Sequence, residues 1–300
     1  MNTMKFAGFI MTYERAETLI ETIEILFAQT VPLEKILIVD NSASDNTLNR
    51  IALLNDPRVV YHRVGYNSGP AGAAGIGLNT LAVEGYEWIA WMDDDDPPIF
   101  KDVFETLLRT AKSNEKCGCV GVVGQYFNKK NGLMVRVPDA TIEGVGSIEV
   151  DTIAGGMCKI VNAKVCSISN VFPDEELFFG FEELDFDLRM QEAGYTLLVD
   201  KELYKRHRVK FNRVGLNVKK GLKKDQSRLY REYYSTRNSL IIFQKHRLYS
   251  ALLITFFRSI AKIILGFRFG VKYGWNNMNF VVRAWFHFMI SKKGKVDFLN

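Results

Sequence analysis

Cysteine is scarce in this sequence, and its four copies (Cys117, Cys119, Cys158 and Cys166) show no zinc-type pairing. Four in 300 residues make no disulfide scaffold either. The glycine-rich run from Gly69 to Gly77 has neither the GxGxxG of a dinucleotide fold nor the GxxxxGK of a P-loop. The first absence argues against an NAD-dependent dehydrogenase. No Thr or Val follows the acidic pair, as phosphotransferases with an Asp nucleophile usually require. Internal repeats and low-complexity linkers are missing. Met1 to Phe9 lacks the layout of a signal peptide, because Lys5 is followed by only a short apolar stretch. A cytosolic active domain is the resulting expectation. No uncharged stretch has the length of a membrane span; Ala251 to Phe269 comes nearest and carries Arg258, Lys262 and Arg268.

What is present is a globular composition, 47% hydrophobic and 24% charged, with length for one large α/β domain or two smaller ones. The net charge of +5 hides an asymmetry. Residues 201–300 hold 23 Lys and Arg against four acids, a net +19, which leaves 16 basic and 30 acidic residues, −14, in the first 200. The basic end should favour anionic partners: phospholipid headgroups, nucleic acid or a phosphate-bearing substrate.

Apolar runs and turn signals alternate along the first hundred residues. Residues 5–11 read as a strand ending at Thr12-Tyr13, and Leu19, Ile20, Ile23, Leu26 and Phe27 recur at helical spacing. Ile36 to Val39 reads as a strand buried on both faces, Val59 to His62 as another, and Ala73 to Glu84 as a helix of small residues. Trp88 to Met92 is the next strand. This order predicts a mostly parallel sheet with right-handed crossovers. After about residue 210 the pattern changes to helices rich in Lys, Arg and aromatics.

Four aspartates, Asp93 to Asp96, close the Trp88–Met92 run and stand before Pro97-Pro98. A strand that delivers several carboxylates to its C-terminal edge places them where ligands bind in open α/β sheets. Carboxylates this close share a cation or keep a proton; otherwise they form an acidic surface turn. Asp40 also ends its strand, where it either caps the next helix or accepts hydrogen bonds from a nucleobase or ribose. The Gly69–Gly77 run either lets a helix start approach a ligand or permits close helix–sheet packing. Glu182, Glu183, Asp185 and Asp187 form an acidic helix start that could hold a general base, or a solvated turn. His207, between Arg206 and Arg208, is either structural or a ligand for Mn²⁺ beside carboxylates.

Together these residues resemble an inverting family 2 glycosyltransferase of the GT-A fold, over about residues 5–245. The resemblance rests on Thr12-Tyr13-Glu14-Arg15, Asp40-Asn41-Ser42 with Ser44-Asp45, and Asn67-Ser68-Gly69-Pro70-Ala71-Gly72. It continues through Asp93-Asp94-Asp95, Gly155-Gly156 beneath the acceptor site, Glu182-Glu183-Leu184-Asp185 with Arg189, and His207. Tyr233-Tyr234-Ser235-Thr236-Arg237-Asn238 is similar to a segment of bacterial members that build rhamnose- or galactofuranose-containing glycans.

The resemblance implies an α/β GT-A domain over residues 1–215, with a mostly parallel sheet flanked by helices, and a basic helical extension over 216–300. It implies that Thr12, Tyr13, Arg15, Asp40, Asn67, Gly69, Asp93 and Asp94 bind the nucleotide-sugar. Asp93, Asp95 and His207 would hold Mn²⁺ or Mg²⁺. The family's Asp base is replaced here by Glu183, which leaves Asp185 as a rival. The implied reaction transfers a sugar, galactofuranose or rhamnose as leading candidates, from a UDP- or dTDP-sugar to a glycan or polyprenyl-diphosphate-linked acceptor of a surface polysaccharide. Nucleic acid is not an implied partner. The C-terminal aromatic and cationic residues suit either an anionic membrane surface or a helical cap on the catalytic domain. The expected location is therefore the cytoplasmic face of the membrane. The rival function is non-catalytic binding to membranes or polyanions through the +19 region.

Overall fold

The computed structural model describes residues 5–154, 158–216 and 225–298. Its first part alternates strictly: β1 (Phe6–Thr12), α1 (Ala16–Phe27), β2 (Ile36–Asp40), α2 (Asn46–Leu54), β3 (Val59–Arg63), α3 (Gly69–Val83) and β4 (Trp88–Asp93). Next come α4 (Val103–Lys112), β5 (Cys117–Gly121), β6 (Gly124–Asn128), β7 (Leu133–Arg136), β8 (Ser147–Val150), β9 (Thr152–Ile153) and β10 (Lys159–Asn162). They are followed by α5 (Ala163–Ser169), α6 (Glu182–Glu192), β11 (Thr196–Asp200) and α7 (Lys201–Lys210). Three helices close the chain: α8 (Tyr230–Lys245), α9 (Tyr249–Gly266) and α10 (Val271–Met289).

Eight strands form the main sheet in the order β3-β2-β1-β4-β10-β5-β11-β8. The first four are parallel, as the alternating pattern predicts. The far half is mixed, because β10 runs antiparallel to both β4 and β5, and β8 antiparallel to β11. A smaller sheet, β7-β6-β9, stands beside it.

Strand alternation divides the core. Phe6 and Ile10 of β1 meet Leu19, Ile23 and Leu26 of α1 and Phe104 and Leu107 of α4. Ala7, Phe9 and Met11 face the opposite layer, with Ala73, Ala74, Leu78 and Leu81 of α3 and Phe186 of α6. Every β1 residue is buried, so its sequence reads as a continuous apolar run. The helix expected from Ala73 begins at Gly69, with Pro70 in its first turn, where a missing N–H costs nothing. Small residues let α3 lie close to the sheet: a Cβ on Gly77 would stand 2.4 Å from the Phe9 ring.

The three C-terminal helices pack on one another and on the α3 and α6 side. Ile242, Phe243 and Ala251 share a core with Leu177, Leu184 and Leu188. Helix Tyr249–Phe269 is, by length and composition, apolar enough to cross a membrane, which the three charges in that stretch had argued against. Two of those charges have partners: the half-buried Arg258 donates to the Asn131 carbonyl at 3.1 Å, and the exposed Lys262 to Glu232 at 3.1 Å. Leu253, Phe257, Ile264 and Leu265 are left on the exposed face.

Candidate functional site

Parallel register brings the ends of three strands to one crevice. Thr12 pairs with Asp40, and Met11 pairs with Asp93. The chain beyond β4 is held by β1 and α1: Thr12 Oγ1 donates to Asp94 Oδ2 at 2.7 Å, and Thr22 Oγ1 to the Asp94 carbonyl at 2.7 Å. Arg15 donates to Asp94 Oδ1 at 3.2 Å and also to Asp95.

Carboxylate crowding shows in the acid strengths. Burial, then the charges of Glu183, Asp95, Asp94 and Asp96, pushes the Asp93 carboxyl up to about 8. Burial also raises Asp94, against the Thr12 hydrogen bond and Arg15. Asp96 rises to about 6, through burial and Asp95, with Arg213 opposing.

The crevice is a cleft of about 560 Å³. Thr12, Tyr13, Arg15, Asn67, Gly69, Asp93, Asp94 and Asp95 line it, so the strand ends and the α3 start converge as one wall. Asp40 lies behind that wall, fully buried, and accepts from Ser42 N at 2.8 Å and Tyr61 OH at 2.9 Å. It does not cap a helix; α2 starts only at Asn46. Its neighbour Asn41, quoted in that motif without a role of its own, reaches the cleft. Asn41 accepts from Ser68 N at 3.1 Å and Ser68 Oγ at 2.8 Å and donates to the Gly69 carbonyl at 3.2 Å. Gly69 has φ +72°, and a Cβ there would stand 2.1 Å from the Phe178 carbonyl oxygen.

The acidic run is helical and mostly buried rather than a solvated turn, and the helix splits it three ways. Glu182 and Glu183 face the Asp93 side: burial and then Glu183 raise Glu182 to about 8. Glu183 also lines a second cavity of about 230 Å³ with Gln125, Thr152, Ala154 and Gly180. Asp185, fully buried, turns to α8 and bonds Arg189 at 2.8 Å, Lys245 at 2.9 Å and His246 at 3.2 Å. Burial would raise its carboxyl, but the His246 hydrogen bond with the Arg189 and Lys245 charges brings it down to about 2. Asp187 enters the core, paired with Lys159 beneath the rings of Trp91 and Phe186. Asp185 therefore stays apart from the Asp93–Glu183 group.

His207 lies on the Asp96 side of the aspartate run. It stacks on Phe211 at 4.7 Å and lines a small cavity with Asp96, Pro97, Pro98 and Cys158. Its Nδ1 is buried without a hydrogen-bond partner among the described residues, and burial, then Arg213 and Arg208, lowers its pKa to about 4. Among the described residues no three or more His, Cys, Asp or Glu side chains are grouped to hold a metal ion. Gly155-Gly156 lies outside the described residues.

Sequence reading quoted the Tyr233–Asn238 segment but assigned none of its residues to the opposite wall. Phe178, Phe179, Tyr230, Arg231, Tyr234, Lys295, Val296 and Phe298 complete the cleft. Arg237 and Asn238 fix this wall. Asn238 Nδ2 donates to the carbonyls of Leu177, Phe179 and Gly180 at 2.9, 3.0 and 2.9 Å. Arg237, fully buried, donates to Leu177 O at 3.1 Å and Gly294 O at 2.8 Å. The Arg-Asn pair at 237–238 was the available signal, because burying such polar side chains requires fixed partners.

Comparison with known proteins agrees with this geometry. Residues 9–150 match Glycosyl transferase family 2. The galactofuranosyltransferase GlfT1 of Mycobacterium tuberculosis is 23% identical over 62% of this chain and 64% of its own length. The UDP-Glc:alpha-D-GlcNAc-diphosphoundecaprenol beta-1,3-glucosyltransferase WfaP of Escherichia coli is 26% identical over 51% of this chain and 55% of its own. The chain thus spans less than two thirds of the length of these relatives. Among solved structures, the mannosyltransferase PcManGT from Pyrobaculum calidifontis, in complex with GDP-Man and Mn²⁺, aligns with TM-score 0.56 at 12% identity. That alignment covers 97% of this chain and 89% of the other, and at this identity it speaks for the fold alone. Residues 9–150 thus carry the match to glycosyl transferase family 2, and the chain has the GT-A fold.

Proposed function

We propose that the chain transfers a sugar from a nucleoside diphosphate donor to a hydroxyl of a growing, lipid-linked surface glycan, with inversion at the anomeric carbon. The observation that carries this reading is the shared placement of Asp93–Asp95, at the end of β4, and Glu183, at the start of α6, close enough to shift one another's protons. In the proposed arrangement Thr12, Tyr13, Arg15, Asn67 and Gly69 seat the nucleotide, with Asp40 supporting the wall through Asn41.

Asp93 and Asp95 offer oxygen ligands alone, which suits Mn²⁺ or Mg²⁺. The fit is supported by their charge: Arg15 answers Asp94 and Asp95, while burial, then its carboxylate neighbours, keep Asp93 raised to about 8. The chemistry such a cation supplies when bound is charge neutralisation on the departing diphosphate. His207 is not included in this set, since its ring faces the Asp96 cavity.

Glu183 is assigned as the base that takes the acceptor hydroxyl proton, because it reaches both Asp93 and the second cavity. Asp185 is held by Arg189, Lys245 and His246 and is assigned to positioning α6 against α8. One in-line displacement then inverts the sugar without a covalent intermediate.

UDP- or dTDP-sugars are the proposed donors. The activities by which GlfT1 and WfaP are named support a furanose or hexose and a polyprenyl-diphosphate acceptor. The domain assignment is a catalytic part over 1–215 and an extension over 216–300 that roofs the cleft. The exposed apolar face of α9 and α10, with Phe257, Ile264, Trp275 and Phe286, is assigned to an anionic membrane surface on the cytoplasmic side.

The test is calorimetry with UDP, dTDP and GDP, each with Mn²⁺ and with EDTA, followed by transfer assays. Asp95→Ala should lose metal-dependent nucleotide binding and transfer together. Glu183→Gln should keep binding and lose transfer; full transfer by that variant would remove Glu183 from the mechanism.

A further inference from the structure

We infer that Lys295 and Arg231, both from the C-terminal extension, form a direct anion site in the cleft for the donor's diphosphate, facing the aspartate wall. This assignment deepens the function proposed above and rests on it. Two phosphoryl groups bring negative charge into a cleft whose other wall carries Asp93, Asp94 and Asp95. Arg15 is already committed to two of those aspartates. Arg231 and Lys295 also line the cleft, and neither has a carboxylate partner among the described residues.

Arg231 is half-buried, with its guanidinium 5.2 Å from the Phe179 ring. Its Nε is buried and makes no hydrogen bond among the described residues. A buried donor left without an acceptor costs about 1–3 kcal/mol, and a ligand oxygen in the cleft would satisfy it. Guanidinium donors suit phosphate oxygens in particular.

Lys295 is placed by a strap with many anchors. Gly294 N donates to Glu176 O at 2.6 Å, and Gly294 O accepts from Arg237. Val296 N donates to Tyr234 OH at 3.1 Å, and Arg283 donates to Asp297 O at 3.3 Å. Phe298 packs edge-on against Tyr233 at 5.0 Å and Phe280 at 5.1 Å. The backbone on both sides of Lys295 is therefore fixed, so its exposed side chain works from a set origin at the cleft rim. Lys293, two positions earlier, is instead spent outside the cleft in an ion pair with Glu176 at 2.5 Å. The C-terminal strap thus does more than cover the site: it supplies the cation that Arg15 cannot.

The experiment titrates the full chain with UDP, dTDP and GDP and with the matching monophosphates, all with Mn²⁺. Variants are Lys295→Met, Arg231→Met and, as a control, Lys293→Met, each checked for an unchanged unfolding midpoint. Charged hydrogen bonds of ordinary strength predict that Lys295→Met and Arg231→Met each weaken diphosphate binding about tenfold or more. Monophosphate affinity should change much less, and Lys293→Met should match wild type. Equal diphosphate affinity in all four proteins overturns the anion site and leaves the donor reading intact. Equal losses for monophosphate and diphosphate overturn it too, as they would show a general effect on the cleft. Failure of wild type to bind any diphosphate overturns the donor reading, and this assignment with it.

Discussion

Replacing Asn238 with alanine removes a buried side chain that hydrogen-bonds four neighbouring groups. Its Nδ2 serves the carbonyls of Leu177, Phe179 and Gly180, and its Oδ1 accepts from Arg237 Nε at 3.0 Å. Alanine leaves these groups in a site with no exposure to solvent. Each buried group left unpaired costs about 1–3 kcal/mol, but relaxation and the remaining Arg237 bond to Leu177 offset part of the sum. The expected loss is about 3 kcal/mol, a large fraction of a typical domain's stability. In urea this corresponds to a midpoint lowered by about 1 M, for a slope near 3 kcal/mol/M. Circular dichroism follows the unfolding. Because Phe178 and Phe179 belong to the cleft wall, calorimetry should show weaker nucleotide binding in the same variant. A midpoint within about 0.2 M of wild type, with unchanged binding, would refute the view that Asn238 holds the wall.

Two glycines of α3 should respond oppositely to alanine. Gly77→Ala forces a Cβ to 2.4 Å from the buried Phe9 ring and should destabilise by about 1–3 kcal/mol. Gly75→Ala meets nothing nearer than Pro173 O at 3.6 Å and should stabilise by about 0.5–1 kcal/mol through helix propensity. Urea midpoints decide both, and equal effects would sink the packing argument. A pH series tests the Asp185 network: despite burial, hydrogen bonds donated to Asp185 and Glu192 raise the His246 pKa. Its contribution is therefore full below the unfolded value of about 6.5 and is lost as pH rises through the folded one. Asp185, lowered to about 2, contributes above its unfolded value of about 4, and loses this as pH falls toward 2. Asp93 and Glu182, raised to about 8, also make stability fall with rising pH, so His246→Gln should flatten but not abolish the decline in midpoint between about pH 6 and 9. An unchanged slope would remove His246 from the account. Finally, Phe257→Asp combined with Ile264→Asp should cut flotation on anionic vesicles while Arg258→Ala, which loses a bond to Asn131, should not; equal flotation of all three would remove α9 from the membrane surface.

The first four strands and the aspartates at the end of β4 were legible because they depend on local order. A run buried on both faces is apolar throughout, and a parallel sheet delivers its strand ends to one edge. Glu183's neighbourhood was legible only as an acidic run. Which acid goes where depends on the 100° step of the helix against three different neighbours: Asp93 and the second cavity, α8, and the Lys159 pocket. His207 could not be placed from its own surroundings in sequence, since its cavity is made by residues 96–99, 103, 122 and 158. The antiparallel β10 likewise has no local mark, because strand direction is set by the partners it meets.

Composition alone determined that the C-terminal hundred residues are cationic and aromatic. It did not determine that Arg258 and Lys262 are paired with Asn131 and Glu232, or that the strap from Gly294 to Phe298 returns to the nucleotide cleft. Those outcomes rest on contacts such as Arg237 with Gly294, 57 positions apart, and Gly294 with Glu176, which only a closed tertiary structure brings into reach. The sequence by itself determined where carboxylates end strands, through local periodicity. The tertiary structure decided which of them face one another, and which cations face them, because that depends on pairing between distant segments.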